Sequence, residues 1–162
     1  MEAKMRLALF QPDIPQNTGT LLRLGACLDV ELDIIEPCGF IFSEQTLKRA
    51  GMDYLHLVKY RRHHSWEHFL QYRAEHPEEY GRIVLLTTHA TEPYYHFEFQ
   101  PNDIILMGRE SAGVPEEVHQ TVDARLLIPM NANARSINVA VSAVMVVGEC
   151  LRQTKMFPSL DN

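Results

Sequence analysis

Five short runs constrain this chain more than anything else in it: Arg6 to Phe10, Leu32 to Ile35, Arg82 to Thr88, Asp103 to Met107 and Arg125 to Ile128. Each is apolar at nearly consecutive positions. A strand with one wet face alternates, whereas a strand apolar at every position is covered on both faces. A sixth run, Tyr54 to Tyr60, alternates and reads as a less buried third strand. Helix-compatible stretches lie between the runs. The pattern predicts an α/β protein with a mostly parallel sheet and helices on both faces.

Cap and breaker residues place the helices. Asn17 or Thr18 can cap the first, which runs to about Leu28 with Leu21, Leu24 and Leu28 inward and Arg23 elsewhere. Ser43 can cap a second through Ala50, stopped by Gly51. Ser65 can cap a third through about Arg73, and Pro115 can open a fourth through His119. Ser136 offers an N-cap for the last, through Gln153. Val139 to Val147 is apolar almost all round, which predicts burial of most of that helix.

Three loops follow apolar strand ends: Thr87-Thr88, Gly108 to Gly113, and Met130 to Ser136. In an open α/β sheet such loops converge on one crevice, where a ligand binds. The familiar fingerprints are missing. Gly108 to Gly113 has phosphate-loop spacing, but Val114-Pro115 stands where Lys-Ser/Thr is needed, and neither G-x-G-x-x-G nor G-x-S-x-G is present. His64-Ser65-Trp66-Glu67-His68 fits an inverted zinc-protease pattern, yet so short a match arises often by chance, and the expectation is no metal.

The 162 residues suffice for one domain with a full core. Cys27, Cys38 and Cys150 lack a paired spacing and read as reduced thiols. The segment from Met1 to Arg6 leads straight into the first strand without a signal-peptide core, and the longest apolar run is too short for a bilayer. The expectation is a cytoplasmic protein with no membrane partner. A net charge of -6 works against charge-driven nucleic-acid binding. Positive residues nevertheless crowd between Lys48 and His64, including Arg49, Lys59, Arg61 and Arg62. A solvated basic face is the plainer reading, and a local RNA-binding patch is the alternative.

Ordered motifs then carry a resemblance. Asn17-x-Gly19-x-x-x-Arg23, Met107-Gly108-x-Glu110-x-x-Gly113, and Ile128-Pro129-Met130 with Arg135-Ser136-x-Asn138 resemble motifs 1, 2 and 3 of the SPOUT class of RNA methyltransferases. Ile35-Glu36-Pro37-x-Gly39-Phe40, Arg49-Ala50-Gly51-x-Asp53-Tyr54 and Arg62-His63-His64 are similar to one branch, the tRNA (cytidine/uridine 2′-O)-methyltransferases acting at the wobble nucleotide. In the last helix, Asn138 to Ser142 and Gly148 depart from residues that other members of the branch carry.

The resemblance implies a deep C-terminal trefoil knot, against the usual absence of threading. It further implies a single methyltransferase domain over residues 1–162 with no separate RNA-binding domain, a homodimer, S-adenosylmethionine as methyl donor and the tRNA anticodon loop as substrate. Carried over by position, Leu86, Gly108, Ile128, Met130, Ser136 and Asn138 would contact the cofactor, Gly108 by admitting close approach. Arg23, Asn17 and Glu110 would serve catalysis, with Arg23 at the target ribose and Glu110 and Asn138 bracing loops or touching substrate. Arg23 is expected to stabilise charge, because a guanidinium is hard to deprotonate. Rival readings are 2′-O-methylation of another tRNA or ribosomal RNA ribose, a non-catalytic RNA- or cofactor-binding module, and, more remotely, a metallohydrolase.

Overall fold

In the computed structural model, residues 3–49 and 55–161 are described, Leu55 by its backbone alone. Residues 50–54 lie outside them, and with them most of the Arg49–Tyr54 motif, the expected stop at Gly51 and the start of the alternating third run. Seven strands form one sheet in the order β3-β2-β1-β6-β4-β7-β5, with every neighbouring pair parallel. They are β1 (Arg6–Phe10), β2 (Glu31–Ile35), β3 (Tyr60–His63), β4 (Ile83–Leu86), the two-residue β5 (Glu92–Pro93), β6 (Ile104–Met107) and β7 (Ala124–Leu127). The helices are α1 (Pro15–Leu28), α2 (Glu44–Arg49), α3 (Trp66–Glu75), α4 (Glu116–Thr121) and α5 (Val139–Thr154).

The continuous apolar runs are explained by two cores, one on each sheet face. Leu7, Leu9, Leu32, Ile34, Ile105 and Met107 face α1 and α5, meeting Leu21, Leu22, Val146, Val147 and Cys150. Ala8, Phe10, Ile35, Leu85, Ile104 and Leu106 face α3 and α4, meeting Trp66, Phe69, Val118 and Val122. Alternate residues of one strand thus feed opposite cores. No helix among the described residues is long and apolar enough to cross a membrane.

Five expectations need correction. Pro15 opens α1 with Ile14 as N-cap, so Asn17 and Thr18 lie inside the first turn; a proline there forgoes only an N–H that has no intrahelical partner. The inward stripe of α1 runs through Thr18, Leu21, Leu22 and Gly25, with Leu24 and Leu28 only partly buried. The described part of the third run is a 3₁₀ turn at Leu55–Leu57 followed by the short β3 (Tyr60–His63), and of its apolar residues Val58 is buried while Leu57 and Tyr60 are exposed. Asn138, not Ser136, caps α5: its Oδ1 accepts the N–H of Ala140 at 2.8 Å and of Val141 at 3.2 Å. Within this chain α5 buries only one face, leaving Val141 52%, Val144 41% and Met145 39% exposed.

Within the basic stretch, Arg61 and Arg62 are paired with acidic residues. Arg62 makes a forked pair with Glu36 (2.7 and 3.1 Å) and lies 4.6 Å over the Phe42 ring. Arg61 bonds Tyr80 Oη at 2.9 Å and pairs with Glu79 at 3.3 Å. His63 is buried, its Nε2 2.7 Å from Asp33 Oδ1. The same carboxylate accepts Tyr80 Oη–H at 2.6 Å and Arg6 Nε–H at 2.6 Å, and Arg6 also pairs with Glu31. This network packs beneath α3, with the His63 ring against Phe69 and Tyr72.

Candidate active site

The three predicted loops do converge. With the start of α1 and of α5 they enclose a cavity of about 820 Å³ at the carboxyl ends of β4, β6 and β7. Of the residues the motifs nominate, Asn17, Leu86, Gly108, Glu110, Ile128, Met130, Ser136 and Asn138 all line it. Arg23 does not. It sits exposed on α1, outside the lining.

Local chemistry shapes each wall. Thr87 N–H extends the sheet by donating to Leu126 O at 2.9 Å, and its Oγ1 accepts His89 N–H at 3.1 Å, turning the chain over the end of β4. The loop after β6 folds back on itself: Arg109 and Gly113 exchange backbone hydrogen bonds at 3.0 and 2.9 Å, and Gly113 takes φ +63°. A Cβ on Gly108 would lie 2.8 Å from the Gly113 backbone. The glycine is therefore required by its own loop, a different reason from the cofactor approach that the motif suggested. After β7, Asn131 Oδ1 accepts Asn133 N–H at 3.1 Å and its carbonyl accepts Ala134 N–H at 2.9 Å, an Asx-type turn that swings Ser136 to the cavity.

Glu110 is a brace. Its Oε1 accepts the N–H of Asp13 at 2.9 Å and of Ile14 at 3.2 Å, at the entrance of α1, where a negative charge is favoured. Asp13 reciprocates by accepting Glu110 N–H at 3.2 Å and the Ser111 hydroxyl. Burial, then the neighbouring Asp13 carboxyl, pushes the Glu110 pKa above the ordinary carboxylate range. Asp13, despite its own desolvation, is held below that range by its hydrogen bonds with Glu110 and Ser111. A second link joins Asn138 Nδ2 to Asn17 Oδ1 at 3.2 Å, tying α5 to α1 across the cavity mouth.

Asp13, Glu116, His119 and Ser142 escaped the sequence reading as site residues. Glu116, His119 and Ser142 line the cavity, and His119 Nε2 is buried without a hydrogen-bond partner among the described residues. The i, i+3 spacing of Glu116 and His119 behind Pro115 was the available signal, since it puts both on one face of the helix after the second loop. Asp13 sits between Pro12 and Pro15, where a polar residue looks like ordinary loop.

The cavity suits a partly apolar ligand with polar groups. Leu86, Ile128 and Met130 supply apolar surface, while loop backbone and Ser136 supply polar groups. S-adenosylmethionine fits this donor set. Among the described residues, no three His, Cys, Asp or Glu side chains are disposed to hold a metal.

Comparison with known proteins agrees with this geometry. The SpoU rRNA Methylase family profile matches residues 4–148. A tRNA (cytidine(34)-2′-O)-methyltransferase of Beijerinckia indica is 59% identical over 147 residues, covering 91% of this chain and 90% of that protein. A solved structure described as giving insight into 2-OH methylation of C/U34 on tRNA is 37% identical with a TM-score of 0.85, covering 93% of this chain and 96% of that one. A putative RNA methyltransferase from Bacillus anthracis is 33% identical with a TM-score of 0.86, covering 98% of both chains.

Proposed function

This chain belongs to the SpoU rRNA methylase family, and from that premise we propose that it methylates the ribose 2′-hydroxyl of the tRNA wobble nucleotide, cytidine or uridine 34, with S-adenosylmethionine as donor. One observation carries the reading: eight of the nine nominated residues, Arg23 excepted, line a single cavity at the carboxyl end of the sheet, in a chain akin to enzymes of that specificity over nine-tenths of its length.

Loop backbone around Leu86, Gly108 and Ile128, with Met130 and Ser136, would hold the donor. When bound, the donor supplies a sulfonium methyl, which the 2′-oxygen takes as the C–S bond breaks, the electron pair stays on sulfur and the hydroxyl proton leaves to water. The protein's part is to hold the reactants in line and to stabilise the oxygen as it becomes negative. Glu110 and Asp13 keep the α1 entrance against the β6 loop. Arg23, on the exposed side of α1, is assigned charge stabilisation at the target ribose.

The exposed Val141, Val144 and Met145 of α5 support a homodimer packed on this helix, which lies against α1. The described strands form one sheet, and recognition of the anticodon loop is assigned to the methyltransferase fold and its second copy. We further read the segment after β7 as the trefoil knot of the SPOUT class, and the cytoplasm, where tRNA is modified, as the site of action.

The test is methylation of tRNA by the purified protein, read by mass spectrometry of nucleosides from the anticodon. Expected is 2′-O-methylation at position 34 alone. Methylation of another ribose, or none, would sink the reading. In calorimetry, Ser136→Tyr should abolish donor binding while Arg23→Ala preserves it.

A further inference from the structure

Asn138 uses the two ends of one amide for different purposes. Its Oδ1 accepts two backbone N–H groups, from Ala140 and Val141, as the N-cap of α5. Only an oxygen can do so, and the cap therefore decides which way round this amide sits. The other end is an NH₂, and it donates to Asn17 Oδ1 at 3.2 Å. That donation decides Asn17 in turn. With its oxygen turned to Asn138, the end Asn17 has left to offer is its own NH₂. Both residues line the cavity.

We infer that Asn138 is a positioning residue that sets Asn17 as a hydrogen-bond donor, and that Asn17 directs this NH₂ at the target 2′-oxygen as negative charge develops there. The inference rests on the methyltransferase reading above. The opposite orientation of Asn17 would present a carbonyl oxygen to a developing alkoxide, which is repulsive. A helix cap thus selects the sign of a catalytic dipole before substrate arrives, so no reorganisation is needed in the reaction. Asn17 takes up no proton in this scheme.

Two substitutions separate the cap from the donor. Ser and Asp cap helices about as well as Asn, yet neither has an NH₂: Asn138→Ser keeps α5 and removes the donation, and Asn138→Asp keeps α5 and can only accept, which turns the Asn17 oxygen away from it. Expected for both, at saturating donor, is an unchanged melting temperature and unchanged KM for tRNA, with kcat lower by about 10²-fold, the loss typical of one oxyanion donor. Asn17→Ala should fall similarly, and Asn17→Ala with Asn138→Ser should fall no further than Asn17→Ala alone. Independently of activity, the side-chain amide resonances of Asn17 in the donor-free protein should shift in Asn138→Ser. Full kcat in Asn138→Ser, a loss confined to Asn138→Asp, a fall in melting temperature parallel to kcat, additive losses, or unmoved Asn17 resonances would each overturn the inference. An inactive wild-type protein whose Asn17 resonances do respond to Asn138→Ser would instead overturn the reading on which it rests.

Discussion

Two polar clusters sit in this molecule and follow opposite rules. Beneath α3, Arg6, Asp33, His63 and Tyr80 are closed in on one another, with Asp33 fully buried and Arg6 3% exposed. At the carboxyl ends of the strands, Asn17, Glu110, Ser136 and Asn138 line an open cavity, and all but Glu110 carry neutral side chains. The closed cluster concentrates charge, because ionised groups taken out of water must be paired. The open one sets oriented amides, hydroxyls and backbone beside the charged Arg109, Glu110 and Glu116 without closing them off from water. Strongly charged residues in this chain therefore mark structure as often as function.

The widest consequence is in stability. Replacing Asp33 by Asn leaves Arg6 without its buried counter-ion and should cost about 3–5 kcal/mol, read as the shift in the urea midpoint. A cost below about 1 kcal/mol would show that the cluster is not closed to water. The pH dependence follows with a definite sign. Burial raises the Asp33 pKa, but hydrogen bonds from His63, the Arg6 charge and Tyr80 outweigh it and hold the carboxyl below the ordinary range. A carboxylate depressed in the folded state stabilises it above the unfolded value of about 3.9 and loses that contribution as pH falls toward the folded value. The gap between wild type and Asp33→Asn should thus be constant above about pH 5 and narrow below about pH 4. A gap that widened on acidification would refute the assignment.

The same contrast shows what could be read from residues alone. Continuous apolar runs disclosed the parallel sheet, because covering both faces leaves a pattern along the chain. The three site loops were legible because each follows such a run. Asp33 was not. It lies inside an apolar run, and its partners Arg6, His63 and Tyr80 come from strands and a loop up to forty-seven residues away, so nothing local betrays the network. His63 looked like part of a basic patch for the same reason. The cap of α5 is Asn138, two residues beyond Ser136, and since both residue types cap well their identities do not choose between them. The exposed face of α5 hides in sequence too, since a helix covered by its own sheet and one covered by a second copy have the same composition.

At the cavity, Gly108→Ala tests whether the open cluster depends on loop shape more than on charge. A Cβ there meets the Gly113 backbone, which cannot swing away as a side chain would. Overpacking of this kind costs about 1–3 kcal/mol, less than loss of Asp33. Its effect on donor binding should nonetheless be large, because the displaced loop is the cavity wall. Calorimetry with S-adenosylmethionine should show affinity lower by more than about tenfold, a loss of at least about 1.4 kcal/mol. Asp33→Asn, assayed where it remains folded, should bind as wild type does. Equal losses in both variants would erase the distinction between the clusters.

The smallest effect is the most informative about the basic stretch. Arg62 is 46% exposed, forked onto Glu36 and laid over Phe42. An exposed pair of this kind contributes about 0.2–1 kcal/mol, so Arg62→Ala should lower the melting temperature only slightly. Its guanidinium is held by a carboxylate of the same chain, and an RNA phosphate could engage it only in competition with Glu36. On that ground tRNA affinity should change by less than about twofold, and the dependence of log Kd on log salt should keep its slope, since a lost phosphate contact on an anticodon loop would flatten it by about 0.7. Glu36→Ala makes the complementary test. It releases Arg62, and if the pair is what silences the stretch, tRNA binding should strengthen and become more sensitive to salt. A tenfold weakening in Arg62→Ala would instead return Arg62 to the RNA-binding surface and break the contrast between the two clusters at its most exposed point.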